Sequence, residues 1–131
     1  MLVEFAADGI DDVRSYPFDI GEDSSIFVLD WLPMIESIIA ERNQGVEIGT
    51  IAARFQNSLA KMIVAVAKKV GQDKVALSGG CFQNRYLAEK TIGRLREAGF
   101  KSYWHQRVPP NDGGISLGQI IGATRQLTRE K

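Results

Sequence analysis

The chain has 131 residues, 44% of them hydrophobic and 24% charged, which fits one soluble globular domain that can build a core without disulfide or metal staples. A single cysteine, Cys81, excludes an internal disulfide, and a single histidine, His105, excludes a metal site built from several His and Cys ligands. Net charge is zero but uneven: residues 1–50 carry eleven acids against Arg14 and Arg42, a balance of −9, and residues 51–131 carry fourteen bases against five acids, a balance of +9.

No apolar run approaches the roughly 20 residues of a membrane span, and the first residues lack the basic and apolar regions of a signal peptide. Cytoplasmic residence, with no membrane partner, is therefore the expectation. The basic second half suits an anionic ligand, although two oppositely charged halves also simply solvate different faces.

Residues 1–25 read as an irregular, acidic, turn-rich lead-in. Only Arg14 to Ile20 looks extended, and Pro17 inside it restricts it to an edge strand or none. Ile26 to Leu29 is a short candidate strand. Asp30 can cap a helix running to about Arg42, with Trp31, Ile35, Ile38 and Ile39 on one face, Pro33 in the first turn and Gly45 beyond the end.

A longer helix covers Ile48 to Val70. Ile51, Phe55, Leu59, Met62, Ile63, Val66 and Val70 recur at threes and fours, the spacing of a buried stripe, and Gly71 stops it. Lys74 to Leu77 is the next strand. It breaks at Ser78, Gly79 and Gly80 and restarts as a helix capped by Asn84, with Leu87, Thr91, Leu95 and Ala98 inward and Gly99 as the stop. Phe100 to His105 reads as another strand, so strand, helix and strand form a parallel, right-handed unit.

A second glycine turn follows, Val108 to Gly114, and a last helix from Ile115 to about Leu127. Two strands thus each end in a Gly-Gly turn and a helix at the same carboxyl edge of a parallel sheet, where open α/β sheets bind ligands. Glycines before a helix N-terminus let an anion approach unpaired backbone N–H groups, so each turn is either a phosphate cradle or an ordinary strand-to-helix turn. Neither matches GxGxxG or a P-loop. Asp112, beside Gly113 and Gly114, either caps the last helix or reaches a metal ion or nucleotide hydroxyl. No second ligand accompanies it, so the chain alone makes no closed metal site.

Leu77 to Asn84, then Gly99 and Phe100, then Val108 to Gln119 resemble the C-terminal end of the hydrogenase-maturation carbamoyltransferases, the HypF family. Upstream, Ala53 to Ala60 is similar to that family's Phe-His-Asn-Thr-Leu-Ala segment. The resemblance covers essentially the whole chain with unbroken spacing. It implies an α/β fold, the C-terminal lobe of an actin-like (ASKHA, ribonuclease-H-like) fold with parallel strands and packed helices, as one domain over 1–131. Sugar O-carbamoyltransferases and tRNA threonylcarbamoyl-transfer enzymes share this fold, and a fragment of either is the alternative reading, with a non-catalytic nucleotide- or partner-binding module as a third.

In that family, carbamoyl passes from carbamoyl adenylate, made with ATP, to the C-terminal cysteine of the acceptor protein HypE. Carried onto this sequence, the resemblance implies nucleotide contacts at Ser78, Gly79, Gly80, Asn84, Gly113 and Gly114. Asp112 is implied as one ligand of a divalent metal ion whose other ligands lie in a missing N-terminal lobe. Upstream domains of the family are also missing, so the isolated chain is expected to be inactive and, with its lobe-facing surface bare, to associate with itself.

Gln56 replaces a family histidine, and Cys81 stands where a small aliphatic residue is usual. Cys81 is read as non-catalytic because no general base accompanies it, and His105 as a strand-end residue.

Overall fold

The computed structural model describes residues 2–24 and 26–129; Met1, Ser25 and the last two residues of the expected 1–131 domain lie outside that description. In chain order the elements are α1 (Leu2–Ala7), β1 (Asp19–Asp23), β2 (Ile26–Asp30), α2 (Leu32–Asn43), α3 (Ile48–Val70), β3 (Lys74–Leu77), α4 (Arg85–Glu97), β4 (Lys101–Trp104) and α5 (Ile115–Arg129). Single 3-10 turns, Gly80–Gln83 and Asp112–Gly114, precede α4 and α5. β1 and β2 form an antiparallel pair, and β3 and β4 a parallel one with Leu77 opposite Trp104.

The helix α3 has the predicted bounds, and Gly71 ends it in the left-handed conformation, its N–H donating to Ala67 O. Its burial departs from expectation. Met62 is buried, but Ile51, Phe55, Leu59, Ile63 and Val66 are half-buried and Val70 is exposed. The fully buried face instead carries Ala52, Ala53, Arg54, Gln56, Asn57, Ser58 and Ala60.

The lead-in explains this. It is not irregular throughout, since it opens with α1 and ends in β1, and extended pairing starts at Asp19 rather than at Arg14. Between those elements the backbone has no ladder to satisfy it, and buried N–H and C=O groups must find partners elsewhere. Side chains of α3 supply them: Asn57 Nδ2 donates to Asp12 O and to Arg14 O (3.1 Å), and Ser58 Oγ accepts from Tyr16 N at 2.7 Å. Asn57 and Ser58 are buried in α3 because they tie down this irregular segment.

Small residues serve a second purpose on α3. Ala7 packs with Ala52 and Ala53, and a Cβ added to Gly49 would sit 2.7 Å from Ala6 O and 3.2 Å from Ile10 Cγ1. Gly49→Ala is therefore expected to push α1 off α3 at a cost of about 1–3 kcal/mol, despite alanine's better helix propensity. A lower melting temperature, read by circular dichroism, checks it; an unchanged one would mean that α1 shifts without cost.

On α2, Asp30 Oδ1 accepts from Leu32 N at 2.9 Å, so the expected cap acts from one residue before the N-cap position, which Trp31 occupies. Met34 is the residue buried there, with Ile35 and Ile38 half-buried, whereas Trp31 and Ile39 are exposed. On α4, Leu87, Thr91 and Leu95 are buried as the spacing predicts, and Leu95 forms a core with Ala67 and Leu77 under the parallel strands.

Two apolar surfaces stay bare. A cavity of about 700 Å3 opens between α3 and β3, lined by Leu59, Ile63, Val66, Val75, Leu77 and Phe82. Along α5 every residue from 115 to 128 is exposed, including Ile120 and Leu127. No helix among the described residues is long and apolar enough to cross a membrane.

Candidate functional site

Parallel pairing of β3 and β4 brings both glycine turns to one edge. Gly79 N donates to Pro110 O at 2.7 Å, which holds the first turn against the second. Gly79 sits at φ 103°, ψ 156°, a region that only glycine occupies without strain. Ser78 and Gly80 are exposed, and Gly79 is half-buried.

The N-terminus of α4 is less available than its sequence suggests. Asn84 Oδ1 accepts from Leu87 N at 2.9 Å, as the cap reading requires, and Asn84 Nδ2 donates to Gln56 Oε1 at 2.7 Å. Gln56 is buried, and its Nε2 donates in turn to Val3 O at 3.2 Å. Arg85 N, in the first turn, already donates to Glu4 Oε1 at 2.7 Å. A carboxylate of α1 therefore occupies the helix end, and open N–H groups lie earlier, at Gly80 and Cys81, which find no acceptor among the described residues.

At the second turn, the residue that caps is Asn111. Its Oδ1 accepts from Gly113 N at 3.0 Å, and its carbonyl accepts from Gly114 N at 3.0 Å. Asp112 is thereby released from capping: its carboxylate is exposed and makes no hydrogen bond or ion pair among the described residues. A Cβ at Gly114 would meet Pro109 O at 3.0 Å, and one at Gly113 would meet Asn111 Oδ1 at 3.1 Å, so a larger residue at either position would require the turn to give by a few tenths of an ångström.

Of the residues singled out from sequence, Ser78, Gly79, Gly80, Gly113, Gly114 and Asp112 belong to the two turns at this edge. Asn84 lies one 3-10 turn further along, with both side-chain groups engaged. Sequence reasoning missed the pairing of Ser78 Oγ with His105 Nε2 at 3.2 Å. The register signals it, because residues that follow paired parallel strand ends are neighbours. Also missed was Glu4, whose reach to Arg85 spans 81 positions and leaves no local trace.

Behind the site, Arg54 is buried and forms ion pairs with Asp12 (2.9 Å) and with Glu41. Hydrogen bonds from the Arg14 guanidinium, opposed by burial and helped by Arg54, hold the Asp12 carboxyl well below the usual carboxylate range. Burial, then the hydrogen bond to Glu41, pushes the Tyr16 phenol above its ordinary value. This network joins the lead-in, α2 and α3 and touches neither glycine turn. Among the described residues no group of three His, Cys, Asp or Glu side chains could hold a metal ion.

Residues 1–119 match the protein family described as "Carbamoyltransferase, Kae1-like Domain, second subdomain". The carbamoyltransferase HypF of Synechocystis sp. is 42% identical over 106 residues, covering 81% of this chain and 14% of that protein. A crystal structure of full-length HypF in the phosphate- and nucleotide-bound form superposes with TM-score 0.84 at 34% identity, over 95% of this chain and 17% of that one. HypF of T. kodakarensis gives TM-score 0.67 at 26% identity, over 96% of this chain and 16% of that one. The chain thus spans about a sixth of these relatives or less, with the α/β architecture of the second lobe of their actin-like domain. It belongs to the HypF carbamoyltransferase family, in the second subdomain of the Kae1-like domain.

Proposed function

We propose that this chain is one wall of the nucleotide cleft of a HypF-type carbamoyltransferase. The observation that carries this reading is the bond from Gly79 N to Pro110 O, which locks two glycine turns side by side at the carboxyl edge of a parallel sheet. A HypF relative of the same fold is known in a phosphate- and nucleotide-bound form, which supports a nucleotide as the ligand.

In the proposed reaction an acceptor thiolate, the C-terminal cysteine of a HypE-type protein, attacks the carbamoyl carbon of carbamoyl adenylate. The bond from that carbon to the phosphate oxygen breaks, and AMP leaves. The part of this chain is to bind and orient: N–H groups at Gly80 and Cys81 and the Ser78 hydroxyl face the phosphate, and Gly113 and Gly114 keep the second turn low enough for the nucleotide to lie against it. Asp112, freed from capping by Asn111, is the one carboxylate the chain contributes toward a metal ion, and no step is derived through it.

Cytoplasmic residence belongs to the same proposal, as does the need for an N-terminal lobe and upstream domains to complete the enzyme. The isolated chain is inactive in carbamoyl transfer on this reading, and its bare apolar cavity beside β3 drives self-association. Calorimetry of the 131-residue chain tests the cleft directly: AMP and ATP are expected to give saturable heat. The absence of heat at millimolar nucleotide would remove the nucleotide reading and leave a structural or partner role.

A further inference from the structure

We propose that His105 is a further ligand-binding residue, which together with Ser78 takes a phosphate group at the carboxyl edge of the parallel strands; this rests on the nucleotide reading above. Leu77 and Trp104 are opposite each other in the register, so the next residue of each strand turns toward the same edge. There Ser78 Oγ lies 3.2 Å from His105 Nε2, and both side chains are exposed. A cavity of about 220 Å3 lies at the pair, also lined by Ala76, Leu77, Tyr103 and Trp104.

The chemistry of the pair favours an anion. When Nε2–H donates to Ser78 Oγ, the hydroxyl proton is left to donate outward, and in the other tautomer Ser78 donates to Nε2 and the Nδ1–H is left to donate outward. Neither side chain has another hydrogen-bond partner among the described residues, and no carboxylate there forms an ion pair with His105. The donors are thus unspent, in the half of the sequence with fourteen bases and five acids.

Because His105 is the only histidine, its Cε1–H resonance in proton NMR reports on one residue. The probes are inorganic phosphate, AMP and adenosine, added separately to the 131-residue chain. The resonance is expected to move saturably with phosphate and AMP and to stay still with adenosine. His105→Ala should weaken AMP binding in calorimetry by about tenfold, the effect of losing a hydrogen bond to a charged group, and His105→Gln, which keeps a neutral donor, by less. Both variants replace an exposed side chain, and circular dichroism verifies their folding. If AMP binds with heat while the resonance stays still and His105→Ala binds equally well, this inference fails and the nucleotide reading stands. Movement with adenosine alone overturns phosphate as the ligand, and no heat from AMP with the unaltered chain overturns both.

Discussion

Arg54→Met is expected to destabilise the chain by about 3–5 kcal/mol, because it leaves the carboxylates of Asp12 and Glu41 facing a buried apolar side chain. A loss of that size is a large share of the roughly 5–15 kcal/mol that holds a domain together. The companion variant Arg14→Met touches the same Asp12 carboxylate at 2.7 Å, yet Arg14 is 69% exposed and solvent screens its pair. Its cost should stay within about 1 kcal/mol. Urea midpoints of the two variants decide the matter: equal, small losses would mean that water enters and solvates the carboxylates when Arg54 is removed.

The pH dependence follows from the same pair of arginines. Asp12 has a folded-state pKa below its unfolded value, so its contribution is fully present above the ordinary carboxylate range and is lost as acid titrates it in the folded chain. Stability should therefore decline as the pH falls below about 4.

The second large effect concerns the adjacent glycines of the first turn. At Gly79 the positive φ of 103°, not crowding, disfavours a side chain, for an added Cβ meets nothing nearer than Cys81 Sγ at 3.9 Å. Gly79→Ala is expected to cost about 1–3 kcal/mol in strain and to loosen the contact with Pro110, lowering both stability and AMP affinity. Gly80 has ordinary backbone angles, and its added Cβ would approach only Asn111 Cβ, at 4.0 Å. Gly80→Ala should melt like the unaltered chain but place a methyl group where the phosphate approaches the N–H, lowering AMP affinity about tenfold or more, equivalent to about 1.4 kcal/mol. Thermal melts and AMP calorimetry on both variants separate fold from binding. If Gly80→Ala binds AMP as tightly as the unaltered chain, the phosphate does not lie on this turn.

The elements that were legible in sequence are those whose cause is local. Apolar spacing and Gly71 fixed the bounds of α3, since a helix and its left-handed stop are both decided within a few residues. The strand at Lys74–Leu77, the Asn84 cap and the glycine turns were readable for the same reason, and the family motif lies in that continuous stretch. Burial on α3 was not readable, because periodicity measures which residues could be covered and says nothing of what covers them. The lead-in covers the polar side, and one flank of the apolar stripe stays open.

Partner choice was likewise a tertiary decision. Asp112 and Asn111 are both competent caps, and the backbone of the turn gave the task to Asn111. Gln56 became the support of Asn84, Glu4 the occupant of the α4 end, and His105 the neighbour of Ser78, at separations of 28, 81 and 27 positions. The sequence by itself determined helices α2 to α5, the paired glycine turns and the family, whereas α1 was not legible in the lead-in. Only the tertiary structure decided which donors at that edge are already engaged and which remain for a ligand, because hydrogen-bond partners far apart in the chain meet only when it folds.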